Sequence, residues 1–288
     1  MEVAEQNMYY VDKTMYLPLL EKQPRNLFFI RPRRFGKSIF LSMLRAYYDI
    51  AQKEKFQKRF GNLWIGSRPT PLQGKFQVVY LDFSRASGGS GSLEENFNNY
   101  CGMVMDLFGK VYEPYYFPGF AQKMEEQPDF VSKLNYLNLH AAESGMRLYL
   151  IIDEYDNFTN IVLNEQGKDI YHALTHASGF YREIFKKFKG MFERIFMTGV
   201  SPVTLDDLTS GYNIAEILTL HPDFINMLGF THAEADAYLR YVLDKYTGSQ
   251  ERYDEIWQLI VNNYDGYRFS PKGEKLFNAT TVSYTHLT

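Results

Sequence analysis

A chain of 288 residues with 31 Lys and Arg against 34 Asp and Glu carries a formal net charge of -3 and is 45% hydrophobic. That length holds one large domain, or a large one with a small companion, around a core that needs no staples, and the interspersed charge excludes a global pull toward nucleic acid or anionic membrane. The single Cys101 excludes an internal disulfide and fits a reducing cytoplasm, and no run approaches the ~18 apolar residues that span a bilayer.

In chain order, Met1 to Gln6 is acidic and lacks the apolar core of a secretory signal. Tyr9 to Thr14 precede a short helix through Met15, Leu17, Leu19 and Leu20, closed by Pro24. Asn26 to Ile30 then reads as a buried strand, Arg31-Pro32-Arg33-Arg34-Phe35-Gly36-Lys37-Ser38 as a loop, and Ile39 to Tyr48 as a helix with Phe40, Met43, Leu44 and Tyr47 on one face. Gly36-Lys37-Ser38 is the second half of the G-x-x-x-x-G-K-[ST] pattern (Walker A), in which loop amides cradle phosphates, the lysine reaches the outer phosphates and the hydroxyl holds magnesium. Arg31 stands where the first glycine should be. Three residues alone are common by chance; the strand before them and the helix after them favour function over a solvated surface lysine. The lead-in from Tyr9 serves either packing or contact with a nucleotide base.

Phe56 to Ile65 reads as an irregular surface connection, Phe76 to Phe83 as a second buried strand, and residues 87–91 as a flexible Ser/Gly loop. Ser92-Leu93-Glu94-Glu95 is a capping box opening a helix with Leu93, Phe97, Tyr100, Val104 and Phe108 on one face. The pattern breaks over Tyr112 to Pro118, and a further helix runs through Phe130, Leu134, Leu137 and His140, ending before Gly145.

From Arg147 an apolar run leads straight into Asp153-Glu154. An aspartate at such a strand end can hold the magnesium shell (Walker B), and a glutamate beside it can orient or deprotonate an attacking water. Tyr171 to Phe188 is helical; His172 and His176 stand four apart, but with no third ligand a metal reading there is set aside. Arg194 to Met197 is a short strand running into Thr198-Gly199-Val200-Ser201-Pro202, where Thr198, with Ser201 in reserve, is placed to feel a terminal phosphate unless the segment is a simple turn. Thr231-His232-Ala233-Glu234 is a second capping box, continued by Ala235, Tyr238, Leu239, Val242 and Tyr246, and Glu251 to Asn262 is another helix. The expected division is a core over 1–205, a helical appendage or lid over 206–281 and a separate tail over 282–288, with no internal repeat.

These residues together resemble the AAA-ATPase-like family of bacteria and archaea, whose members often carry a C-terminal nuclease-like domain of the PD-(D/E)XK type. The resemblance rests on Tyr10-Val11-Asp12-Lys13-Thr14, the Arg31 to Ser38 loop, Leu81-Asp82-Phe83-Ser84, Ile152-Asp153-Glu154-Tyr155-Asp156, Thr198-Gly199-Val200-Ser201, Leu228-Gly229-Phe230-Thr231 and Tyr264-Asp265-Gly266-Tyr267-Arg268-Phe269. It implies an α/β fold, a P-loop NTPase three-layer sandwich with a mostly parallel sheet and a small C-terminal helical subdomain, and it makes Arg31 the loop's normal form. It further implies ATP and magnesium as ligands: Arg31 to Ile39 around the phosphates, Lys37 touching them, Ser38 and Asp153 holding magnesium, Glu154 as the water-activating base and Thr198 as sensor. Spacing assigns no chemistry to Asp12 and Lys13, and Arg268 is a candidate to reach phosphate.

The expected function is a magnesium-dependent ATPase acting as a nucleotide-driven switch. The alternative, prompted by Arg31, Arg33 and Arg34, is a nucleotide-gated DNA- or protein-binding module with negligible turnover; a small-molecule kinase lacks a legible acceptor site, and no membrane partner is expected. No Glu-x-Lys occurs in the chain, so nuclease activity is not carried over. Residues 282–288 depart from the apolar continuation the family pattern leads one to expect and resemble translated adaptor sequence.

Overall fold

Five short apolar runs form one sheet: β1 (Asn26–Ile30), β2 (Gln77–Asp82), β3 (Leu148–Asp153), β4 (Arg194–Gly199) and β5 (Ala215–Ile217). They lie in the order β2-β3-β4-β1-β5, and every neighbouring pair is parallel. The computed structural model describes residues 9–86, 92–165, 167–175, 179–202, 215–247, 250–264, 266–271 and 273–278.

Parallel strands covered on both faces read as nearly continuous hydrophobic runs, and alternation within them feeds two separate cores. Leu27, Phe29, Val78, Tyr149, Ile151 and Phe196 face one side, which is covered by α1 (Leu17–Glu21) and α2 (Lys37–Tyr48). Phe28, Val79, Leu81, Leu150, Ile152, Ile195 and Met197 face the other. That second side lies under α4 (Leu93–Tyr112), α5 (Phe120–Glu125), α6 (Phe130–Glu143), α7 (Asn157–Glu165), α8 (Lys168–Thr175) and α9 (Phe180–Met191). The result is the expected three-layer α/β sandwich, with the sheet fully parallel. A third, smaller cluster, Ala235, Leu239, Leu243, Ile256, Ile260 and Phe277, joins α10 (His232–Thr247) to α11 (Tyr253–Tyr264).

The strand order decides where chemistry can happen. The connection leaving β1 runs toward β2 at one edge, whereas the chain leaving β4, the neighbour of β1, goes over to β5 at the other. Connections that diverge from adjacent strands open a crevice at the carboxyl ends of the strands, the usual ligand position in open α/β sheets.

Several expectations are corrected. The stretch from Phe56 to Ile65 is no irregular surface connection: it holds α3 (Phe56–Phe60) and leads into a 3-10 turn at Trp64–Ser67, and Phe60 and Ile65 are fully buried. Phe60 packs edge-on against Tyr47 and stacks on Phe56, one turn away, and a five-residue helix is too short to display its period. The single helix expected over Tyr171 to Phe188 is two, α8 and α9, and α5 and α7 add turns that no sequence pattern announced. After residue 214 the chain first completes the sheet with β5 before turning helical. The 87–91 loop, His176, the division at 206 and the 282–288 tail lie outside the described residues. Among the described residues no helix is long and apolar enough to cross a membrane.

Candidate functional site

The loop between β1 and α2 begins the site. Gly36 has φ +85°, which glycine adopts freely, and it accepts from Phe40 N at 3.0 Å as α2 starts. Arg34, with φ 69°, adopts the same left-handed region at a cost of about 1–2 kcal/mol. The turn folds Lys37 back into its own loop, where Nζ donates to Arg31 O and Pro32 O, each at 3.0 Å. Lys37 is buried; burial pushes its pKa down, opposed by the carboxylates of Asp153, Glu154 and Asp156. Ser38 and Ile39 are exposed at the mouth of the crevice.

The end of β3 meets this loop. Asp153 Oδ2 accepts from Ser38 Oγ at 2.6 Å and lies 3.4 Å from the Tyr80 hydroxyl, while Oδ1 accepts from Thr198 Oγ1 at 2.7 Å and Glu154 N at 3.0 Å. One buried carboxylate thus ties together the ends of β2, β3 and β4 and the start of α2. Thr198 is fully buried and spends its hydroxyl on Asp153, so the residue expected to sense phosphate is placed one side chain back, positioning the carboxylate. Glu154 sits at φ 50°, with Asn157 Nδ2 donating to its Oε2 at 3.1 Å. Burial, and then the neighbouring Asp153 charge, hold its pKa above the usual glutamate range.

Asp156 was part of a recognisable segment but had no assigned role. It is buried and accepts from Val200 N at 3.1 Å and Ser201 N at 2.6 Å, so it shapes the turn after β4. Tyr155 OH donates to Ser201 O at 2.7 Å, and Gly199 lets the two elements approach: a Cβ there would lie 2.4 Å from the Tyr155 ring. The Asp-Glu-Tyr-Asp spacing was the signal that could have found Asp156. Ser201, the reserve sensor, contributes backbone groups to this turn.

Arg31 behaves quite unlike the other loop cations. Its side chain is fully buried, its guanidinium is held between Phe29 and Phe269 with centroids at 4.3 and 3.9 Å, and it donates to Ile30 O, Thr219 O and Ile225 O at 3.0, 2.9 and 3.1 Å. Among the described residues no carboxylate offsets it, and burial pushes its pKa down. The side chain thus turns away from the space around Lys37 and Ser38 and clamps the loop to the following chain. Phe35 does likewise, edge-on to Tyr267 and Phe269, with its carbonyl accepting from Gly229 N at 3.1 Å, and Asn278 Nδ2 donates to Arg33 O at 2.9 Å. Arg33 and Arg34 are exposed, as is Arg268.

The Tyr10 to Thr14 segment also finds its chemistry here. Asp12 accepts from Thr14 N at 2.8 Å and Trp64 N at 2.6 Å, and buried Lys13 donates to Asn226 O at 2.8 Å and pairs with Glu234 at 2.6 Å. Glu234 also accepts from Thr231 N at 2.9 Å, completing the second capping box at the start of α10. The lead-in is thereby bound to α10, and between them lies a pocket of ≈ 330 Å³ lined by Tyr9, Tyr10, Gly36, Ile39, Phe230 and Tyr238.

For magnesium, the observation that decides fit is the donor set: a hydroxyl and a carboxylate oxygen 2.6 Å apart, both hard oxygens. That suits a cation that keeps several waters and takes one or two protein oxygens besides substrate phosphates. No group of three or more His, Cys, Asp or Glu side chains is arranged to hold a metal among the described residues, which argues against an all-protein cage.

A family model described as "Predicted AAA-ATPase" matches residues 1–209. A protein of Azotobacter chroococcum mcd 1, described as "Uncharacterized protein in vnfD 5'region", is 26% identical over 276 residues, covering 94% of this chain and 46% of that protein. The chain thus spans about half the length of that relative.

Proposed function

The chain belongs to the AAA-ATPase-like family, and from that premise we propose that it binds ATP at the β1–α2 loop and hydrolyses it with magnesium. The observation carrying this reading is the Ser38 Oγ to Asp153 Oδ2 contact at 2.6 Å, which joins two motifs 115 residues apart at the carboxyl end of a parallel sheet. On this reading Lys37 exchanges its carbonyl partners for the outer phosphates, a stronger charge-assisted interaction. Ser38 and Asp153 hold magnesium, which when bound neutralises charge on the β- and γ-phosphates. Glu154, steadied by Asn157, orients the attacking water and accepts its proton. Thr198 fixes Asp153, and the base enters the aromatic pocket between the lead-in and α10.

Because Lys13, which lines that pocket, pairs with Glu234 at the start of α10, nucleotide occupancy bears on how α10 and α11 sit, as a nucleotide-driven switch requires. Calorimetry with ATP and magnesium, together with phosphate release, tests the assignment: Lys37→Ala abolishing binding supports it, and unchanged affinity in that variant refutes the loop assignment.

A second reading, a nucleotide-gated module for DNA or a protein partner, is favoured by Arg33 and Arg34, which are exposed and whose side chains make no hydrogen bond or ion pair among the described residues. Arg31 does not contribute to it. DNA association that weakens with salt and disappears in Arg33→Gln/Arg34→Gln supports its nucleic-acid form, and salt-independent or absent association removes it.

A further inference from the structure

On the far side of α2 from the aromatic pocket lies a second cleft, of ≈ 590 Å³, between the free edge of β2 and α4. One end is formed by Ser38 and Asp153, so it opens directly onto the magnesium end of the nucleotide site. Its apolar wall is Val104, Leu107 and Val111 of α4. Leu107 and Val111 belong to a stripe with Met103 at i, i+4 and i+8, and the three are 58, 40 and 63% exposed respectively.

The cleft carries two arginines, Arg45 and Arg85, and two aspartates, Asp82 and Asp153, and they are not equally engaged. Asp82 is engaged by Arg85 at 3.2 Å and by Ser84 N and Oγ at 3.1 and 2.6 Å, and both oxygens of Asp153 are occupied. Arg45, two turns beyond Ser38 on α2, lies over the Tyr80 ring at 5.9 Å and makes no ion pair among the described residues. The cation available to a ligand is therefore Arg45, and it stands opposite an exposed apolar wall.

The free edge of β2 argues against an added strand as occupant. Its outward N–H groups at Val78 and Asp82 already donate to the hydroxyls of Tyr112 and Tyr100, at 3.0 and 2.9 Å. Those two tyrosines span most of α4 and take up the first and last outward donors of the edge that β-augmentation needs.

We infer that this cleft is a second-ligand site for a small organic anion, whose acidic group meets Arg45 and whose apolar body lies on Val104, Leu107 and Val111. A ligand so placed reaches toward Ser38 and Asp153, which makes it an effector or co-substrate beside the outer phosphate. This last consequence rests on the proposed nucleotide site; the binding itself does not.

The probe is 1-anilinonaphthalene-8-sulfonate, an organic anion with an aromatic body, titrated by fluorescence into the full chain. Arg45→Gln and Leu107→Gln, both at exposed positions, are expected to weaken its binding about tenfold each, whereas Arg45→Lys retains most of it. Phenyl phosphate and phenylacetate are then used as competitors: the one that displaces the probe at lower concentration identifies the acidic group, and displacement by neither overturns the proposal. Equal probe affinity in wild type, Arg45→Gln and Leu107→Gln also overturns it, as does loss of binding only in Ile39→Gln, which lines the aromatic pocket. A concentration-dependent dimer abolished by Leu107→Gln, without any effect on the probe, assigns the wall to a second copy and refutes the small-ligand site. Lys37→Ala separates the two readings: it removes ATP binding and leaves probe affinity within about twofold, so a failure of the nucleotide site is seen on ATP alone.

Discussion

The two ends of the loop between β1 and α2 carry buried cations six residues apart, and they are held in opposite ways. Arg31 is fixed by two rings and three carbonyls belonging to β1 and to chain beyond residue 218. Lys37 is held, among the described residues, by two carbonyls of its own loop, and it faces three carboxylates at the strand ends. A planar five-donor fork suits a permanent junction, whereas a flexible ammonium with local partners can exchange them for phosphate oxygens. One end of the loop thus belongs to the architecture, and the other is the end that the proposed function gives to the ligand.

Substitutions should separate these ends, and any single variant that disturbs stability and nucleotide chemistry equally breaks the comparison. The largest effect is expected at the strand-end glutamate: Glu154→Gln lowers ATP turnover about 10²–10³-fold while leaving ATP affinity nearly unchanged, as single-turnover and binding measurements will show. Next, Arg31→Ala leaves a cavity and strips three carbonyls, that of Ile225 in a buried bond, of their donor, and should cost about 3–4 kcal/mol in urea unfolding with little change in turnover per folded molecule. Lys37→Ala is the mirror case, with ATP affinity falling by about 100-fold or more, equivalent to at least about 2.7 kcal/mol, and the unfolding midpoint barely moving.

The smallest effect sharpens the contrast by removing charge while keeping length. Burial lowers the pKa of Arg31, so the folded chain holds that proton less tightly than the unfolded chain, and at neutral pH, well below the lowered value, the charge itself opposes folding. Arg31→Met should therefore lose only about 1–2 kcal/mol, clearly less than Arg31→Ala. Equal losses in the two variants would show that the guanidinium's hydrogen bonds, rather than packing, govern this end.

Much of this was legible locally. The apolar runs that became β1 to β4, the Gly36-Lys37-Ser38 turn, Asp153 and Glu154 at the end of β3, and both capping boxes are encoded within a few residues of themselves, where spacing and residue type suffice. β5 has only three residues and is a strand solely because β1 offers its edge. Phe60 and Ile65 looked superficial because the partners that bury them, Tyr47 and the lead-in at Thr14, are distant in sequence. Asp12 and Lys13 formed a recognisable motif without a chemistry until Trp64 and Glu234 supplied it.

The sequence by itself determined the alternation of buried strands and amphipathic helices, and with it the parallel three-layer sheet. It also placed a phosphate-sized loop before α2 and two carboxylates after β3, because short-range periodicity and backbone preference are local properties. Only the tertiary structure decided what each loop cation does. Arg31, which broke the familiar glycine pattern, turned inward because Phe269, Thr219 and Ile225 fold back over it; Lys37 faced the strand ends because β3 and β4 bring their carboxylates there. The partners that hold Arg31 lie almost two hundred residues away, and no local pattern carries that information.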